Sequence, residues 1–177
     1  MNKYLNIHLN TYVNNNTFKR LNGEVDVQNG NQPNKTMYNN PNRKKMEKTK
    51  YVAFSTQKGG AGKTTLTVLV ASYLHYVKGY NVAIIDCDHP QYSISGIRSR
   101  DTEATVKDSH YKKMAYEQIK KLNKKPYPVT KSKAEDALEV AEKMKSKHPD
   151  LDFIFFDLPG TANNNDVICL VSKMNHI

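Results

Sequence analysis

Residues Gln57-Lys58-Gly59-Gly60-Ala61-Gly62-Lys63-Thr64-Thr65 constrain this chain more than any other stretch. The apolar run Tyr51-Val52-Ala53-Phe54 leads into them, and an apolar helical pattern follows. Strand, glycine-rich turn and Gly-Lys-Thr opening a helix is the layout of a phosphate-binding loop. Glycines let the backbone curl so that successive N–H groups converge on an anion. The helix start adds unpaired donors and a partial positive charge. Gly59, Gly60, Ala61, Gly62, Lys63, Thr64 and Thr65 are therefore the expected nucleotide-binding residues. Lys63 is expected on the β- and γ-phosphates, and the Thr64 hydroxyl on Mg²⁺.

The rest of the ordered chain reads as alternating strands and helices. Strand one covers about 50–56. A helix from about Lys63 to Lys78 carries the stripe Leu66, Leu69, Val70, Tyr73, Leu74 and Val77, which its period assigns to the core, and Gly79 ends it. Strand two, Asn81 to Asp86, precedes a long polar helical stretch, Ser93 to Asn123, with a break expected near Asp108. A short extended segment follows around Pro126-Tyr127-Pro128-Val129. Ser132-Lys133-Ala134-Glu135 reads as a capping box opening a further helix, with Ala134, Ala137, Leu138, Ala141 and Met144 on its buried face. Another strand, Asp152 to Asp157, and a helix from Asn165 to Met174 complete the pattern. This order predicts an α/β, doubly wound, mostly parallel sheet with ligands at the carboxyl ends of its strands.

Two of those strand ends are acidic: Asp86-Cys87-Asp88 and Asp157-Leu158-Pro159-Gly160. Mg²⁺ takes few protein ligands and keeps several waters, so one or two carboxylates suffice. Asp157, at the end of an apolar strand downstream of a phosphate loop, fits the Walker B position.

The loop departs from G-x-x-x-x-G-K-[ST], which wants glycine at 57, where this chain has Gln57 followed by a second lysine, Lys58. Lys-Gly-Gly-x-Gly-Lys-Thr resembles the deviant form of the ParA/MinD group of ATPases, and the likeness covers about residues 50–177. Asp86-Cys87-Asp88-His89-Pro90-Gln91 is similar to that group's Asp-x-Asp-Pro-Gln element, with His89 inserted. Pro159-Gly160-Thr161 is similar to its second switch. The wording around the loop, with Tyr73-Leu74-His75-Tyr76, looks most like ParA-type proteins of conjugative elements, the conjugal-transfer TraA proteins. The resemblance implies ATP and Mg²⁺, with Thr64, Asp86 and Asp157 near the metal. It also implies Asp88 acting on the attacking water, and Lys58 reaching the nucleotide of a partner subunit in an ATP-dependent homodimer. The implied role is a switch in DNA partition or conjugal transfer, bound to non-specific DNA or to a DNA-binding partner protein. Domains of this group continue further, so the sheet is expected to be incomplete at the C-terminus. A catalytically inert fragment and a MinD-like membrane-positioning ATPase are the alternatives.

Composition bears on the partners. Net charge is +10, which favours anionic ones. Between Arg98 and Lys147, fourteen Lys and Arg face eight acids, which fits either a phosphate-binding face or a solvated helical surface. No apolar run is long enough to span a membrane, and no signal-peptide core is present. Cys87 and Cys169 lack metal-ligand spacing and are expected to be reduced and buried in a cytoplasmic protein. Residues 1–48 are asparagine-rich, without a hydrophobic period, and are expected to be a disordered basic extension to a P-loop ATPase domain at 49–177. The extension reads as a tail touching nucleic acid or anionic lipid, as a solvated linker, or as translated non-coding sequence. On the last reading translation starts at Met46, as relatives often begin there. The intact mass of the protein expressed from its own locus then matches a product beginning at Met46, and a product beginning at Met1 overturns the expectation.

Overall fold

The computed structural model describes residues 46–56, 60–160 and 165–177. The N-terminal extension up to residue 45, residues 57–59 and the Thr161 part of the second switch lie outside them. The chain divides into two compact units. Among the described residues, one contains 46–96 and Tyr127–Ile177; the other contains Ile97–Pro126.

The first unit is a four-stranded sheet of β1 (Lys50–Ala53), β2 (Val82–Asp86), β3 (Val129–Lys131) and β4 (Phe153–Asp157), ordered β1-β4-β2-β3. Every pairing is parallel. The chain is α/β and doubly wound, because both faces of the sheet are covered. Side chains alternate across a strand. Ala83, Ile85, Ile154 and Phe156 face one core, and Val82, Ile84 and Phe155 face the other. Strands buried on both faces read as near-continuous apolar runs, as β2 and β4 do up to their terminal aspartates. The first core is closed by α4 (Ala137–Lys147) and α5 (Asn165–Val171), through Ala137, Ala141, Met144, Val167 and Leu170. The second is closed by α1 (Lys63–Ser72) and the start of α2 (Ser93–Lys107), through Val68, Ala71 and Ile94, with Tyr127 beside them. After α5 the chain returns beside β1, where His176 bridges Val52 in parallel and the Ala53 N–H donates to the His176 carbonyl at 3.1 Å.

Three local expectations are corrected. The large apolar stripe of α1 and the π-helical turn Tyr73–Val77 that continues it does not form the core. Leu66, Leu69, Tyr73 and Val77 are 44%, 43%, 49% and 62% exposed. Thr67, Val68, Ala71, Ser72 and His75 are buried instead, while Val70 and Leu74 are partly buried against the second core. Small side chains let the helix sit close over β4 and β2. Two of its polar inward groups find partners: Ser72 and Tyr127 share a hydroxyl hydrogen bond at 3.0 Å, and the His75 ring stands edge-on to Tyr127, whereas the buried Thr67 hydroxyl has no hydrogen-bond partner among the described residues.

The capping box does not form, because Ser132 is already engaged. Its N–H donates to the Asp86 carbonyl at 3.0 Å, extending the β2–β3 ladder, and its hydroxyl donates to the Lys133 carbonyl. A turn intervenes, and α4 begins at Ala137. Cys87 is buried but Cys169 is exposed, because α5 turns Val167 and Leu170 inward.

The second unit contains α3 (Ser109–Leu122). The expected break at Asp108 is present. Asp108 is extended (φ −118°, ψ 119°), and its side chain accepts from the His110 N–H at 2.7 Å, capping α3. Asn123, left-handed at φ 47°, ends the helix. Among the described residues no helix is long and apolar enough to cross a membrane.

The observed face of α1 carries a direct consequence. Ala71→Leu forces a larger side chain between helix and sheet and costs about 1–3 kcal/mol, whereas Leu69→Ala changes stability by less than about 0.5 kcal/mol. Urea unfolding of both variants checks this, and a large loss for Leu69→Ala would restore the large stripe to the core.

Candidate nucleotide site

Gly60 and Gly62 hold positive φ angles of 74° and 80°, which side-chain-bearing residues rarely adopt. A Cβ at either would meet nothing within 4 Å, so the space the loop curls around is open. Gly62 is the N-cap of α1 and accepts from the Leu66 N–H at 2.8 Å. No side chain caps α1, and its first turn contains no acid. The leading N–H groups, those of Lys63, Thr64 and Thr65 among them, are left for an outside acceptor. Ala61 and Thr65 are exposed, Thr64 is half-buried, and Lys63 is 7% exposed.

The parallel register sets the carboxylates beside this helix. Asp86 pairs with Asp157 across β2 and β4, and the Cys87 N–H donates to the Asp157 carbonyl at 2.9 Å. Both aspartates are fully buried. One Asp86 oxygen accepts from the Ser95 N–H at 2.8 Å and so caps the start of α2. Its other oxygen, and both oxygens of Asp157, have no hydrogen-bond partner among the described residues. Burial first, with help from Asp86 and Asp88, pushes Asp157 up to about 7. The Thr64 hydroxyl and Lys63 oppose the rise, but Thr64 stands outside the geometry of a formed hydrogen bond. Half-buried Asp88 is also raised, by burial and by Asp86, against the pull of Lys63. Cys87, between the two acids, is pushed up to about 12 by burial and by Asp86 and Asp157, so it stays a thiol.

Three orphaned oxygens on two buried carboxylates, beside a buried lysine and an uncapped helix, fit a divalent cation with a phosphate chain. Among the described residues no three His, Cys, Asp or Glu side chains form a metal site by themselves. That suits Mg²⁺, which fills its shell with water and phosphate oxygens.

The structure thus brings Gly60, Ala61, Gly62, Lys63, Thr64, Thr65, Asp86, Asp88 and Asp157 to one end of the sheet. Lys58 and Gly59 lie outside the described residues. His89 faces solvent and packs edge-on against Tyr92. The sequence reading missed the fourth strand end. Lys131 is in register with Asp86, and its ammonium lies 5.2 Å from the Tyr92 ring centre, with Tyr92 at φ 45°. Val129-Thr130-Lys131, a strand ending in a cation, is the signal that could have found it. A separate cavity of about 560 Å³ opens at the opposite end of the sheet. Its Tyr51 hydroxyl donates to Glu142 at 2.5 Å, and Lys145 pairs with Glu142 at 2.9 Å, so these polar groups already satisfy one another.

Comparison with known proteins gives a family model described as "ATPase MipZ", which matches residues 50–174. The chain is similar to "Uncharacterized protein BBD21" of Borreliella burgdorferi, 42% identical over 72 residues, covering 40% of this chain and 28% of that protein. It is also similar to "Putative replication protein A" of Sinorhizobium fredii, 34% identical over 77 residues, covering 44% of this chain and 18% of that protein. Each match therefore spans less than a third of the relative's length. No solved structure matches the chain.

The raised Asp157 predicts an inverted pH dependence. The folded chain keeps a proton there up to about 7, whereas the unfolded chain releases it near 3.8. Between those values the native state binds more protons, so stability falls as pH rises. Asp157→Asn holds no charge and flattens that slope. Melting temperatures of both proteins from about pH 4.5 to 7.5, without nucleotide, check it; parallel curves would contradict the assignment.

Proposed function

The chain belongs to the MipZ family of ATPases, and from that premise we propose that it is a nucleotide switch that binds and hydrolyses ATP. The observation carrying this reading is the pair of buried carboxylates, Asp86 and Asp157, with orphaned oxygens beside Lys63. In it Gly59, Gly60, Ala61, Gly62 and Thr65 present backbone N–H groups to the phosphates. Lys63 neutralises the β- and γ-phosphates from its buried position. The Thr64 hydroxyl, Asp157 and the uncommitted oxygen of Asp86 are the chain's ligands for Mg²⁺, which when bound screens charge between phosphate oxygens. Asp88 orients the attacking water and accepts its proton, a task suited to a carboxyl whose proton affinity is raised.

Lys58 acts in trans: it supplies a second positive charge to the nucleotide of a partner subunit, so ATP binding drives homodimerisation. The cellular role is partition or conjugal transfer of a mobile DNA element. Likeness to a replication protein supports a setting at replicating DNA. The partner is DNA or a DNA-binding protein, and the setting is cytoplasmic. Residues 49–177 are the ATPase domain.

The two loop lysines separate this switch from an ordinary phosphate loop. Lys63→Ala weakens nucleotide binding about ten- to hundredfold, because the phosphates lose a charge-assisted contact. Lys58→Ala leaves binding by the monomer within about twofold but abolishes dimerisation and hydrolysis, as loss of a trans-acting finger does. Nucleotide titration beside size-exclusion with a slowly hydrolysed ATP analogue reads both. Equal loss of affinity in the two variants would make Lys58 a cis ligand and end the dimer-switch reading. Failure of the unmodified chain to bind nucleotide would favour an inert fragment.

A further inference from the structure

Helix α3, within the second unit, has an outward face that its own folding does not explain. Its inward side holds buried Ala115, with Met114 and Leu122 partly buried. On the opposite side Lys113, Tyr116 and Lys120 fall within about 60° of one another at 3.6 residues per turn. Tyr116 is 49% exposed, an aromatic ring among cations rather than in the apolar stripe. Lys113 and Lys120 are exposed on either side of it, at i−3 and i+4. Among the described residues, Lys113 pairs on this face with Glu117, at 3.9 Å and open to solvent, so the pair holds Lys113 only weakly.

The placement of charge is the second observation. Cations stabilise the C-terminal turn of a helix, and Lys120 and Lys121 are accounted for in that way. Lys112 and Lys113 sit at the other end, behind a first turn that holds no acid beyond the N-cap Asp108, where the helix dipole gives positive charge no stabilisation. Ile97–Pro126 as a whole carries nine Lys and Arg against four acids. This excess of positive charge favours an anionic partner.

We propose that this face of α3 binds single-stranded nucleic acid, one base stacking on Tyr116 while Lys113 and Lys120 contact phosphates on either side. The ring decides the class of ligand. A duplex offers its phosphates to the lysines, but its bases are stacked on one another and cannot cover a tyrosine standing on a convex helix. A single strand presents a π-face for each base, and stacking on an exposed aromatic beside cations is how such strands are held without sequence preference. The inference narrows the proposed DNA partner and rests on the chain meeting nucleic acid, but not on ATP.

The test is fluorescence anisotropy of the full chain with a labelled mixed-sequence single-stranded DNA, an RNA of the same sequence and the matching duplex, each at two salt concentrations. Either single strand is expected to bind about tenfold more tightly than duplex, the DNA and RNA arms identifying which is preferred. Tyr116→Ala lowers single-strand affinity about tenfold and leaves duplex affinity unchanged, while Tyr116→Phe retains binding. Lys113→Gln and Lys120→Gln each reduce the salt slope by about 0.7. Tyr116 is at the surface, and circular dichroism confirms that the variants fold. Equal affinity for duplex and single strand with no effect of Tyr116→Ala overturns the inference but keeps the DNA partner. Displacement by polyglutamate as effective as by nucleic acid, again without effect of Tyr116→Ala, assigns the face to an acidic protein and overturns it. No binding of any nucleic acid ends both readings.

Discussion

Two aspartates held side by side in the middle of a sheet are the constraint on which the site depends. Asp86 and Asp157 are register partners on adjacent parallel strands, and both are wholly buried. Taking a carboxylate out of water is costly unless it is paired or protonated. Asp86 meets part of that demand by capping α2 through Ser95. Asp157 meets it by holding its proton to about 7. The arrangement lasts because the two apolar cores above and below the sheet fix both strands. Buried carboxylate oxygens that the described residues leave without partners are well matched to a cation and a phosphate chain.

Parallel pairing is what makes such a cluster available. In the order β1-β4-β2-β3, all carboxyl ends leave the sheet on the same side. The end of β1 leads to the phosphate loop, β4 ends in Asp157, β2 in Asp86 and β3 in Lys131. Helix α1 follows β1 and begins without a side-chain cap. Each candidate site residue thus sits at a strand end or a helix start, where the backbone is rigid but the side chain is not committed to a core.

What was legible in the sequence follows the strength of each physical signal. The apolar runs ending in acid, the glycine-lysine loop and the break at Asp108 all showed, because each has a local cause. Placement of β4 between β1 and β2 was not legible, since register and neighbour order depend on contacts distant in the chain. The face of α1 was misread because the reading ranked residues by hydrophobic size, whereas the sheet selected Thr67, Ala71 and Ser72 for close approach. Ser132 failed as a cap for a similar reason: a backbone partner across the sheet, Asp86, claimed its N–H. Lys131 was overlooked because only acids were sought at strand ends.

The two groups of lysine arise from different constraints. A parallel crossover needs only about a dozen residues, but the link from β2 to β3 covers residues 87–128, and Ile97–Pro126 within it belongs to a compact unit other than the sheet's. Lys63, in the sheet unit, is buried, and its charge acts on Asp88 and Asp157 within a few residues of backbone that the core holds rigid. The lysines of α3 answer to no core and no buried acid, and two of them gain nothing from the dipole of their own helix. Folding therefore accounts for the first charge and, at the C-terminal turn of α3, for Lys120 and Lys121, but not for Lys112 and Lys113. The positive charge that folding does not reward is best understood through what it meets outside the chain.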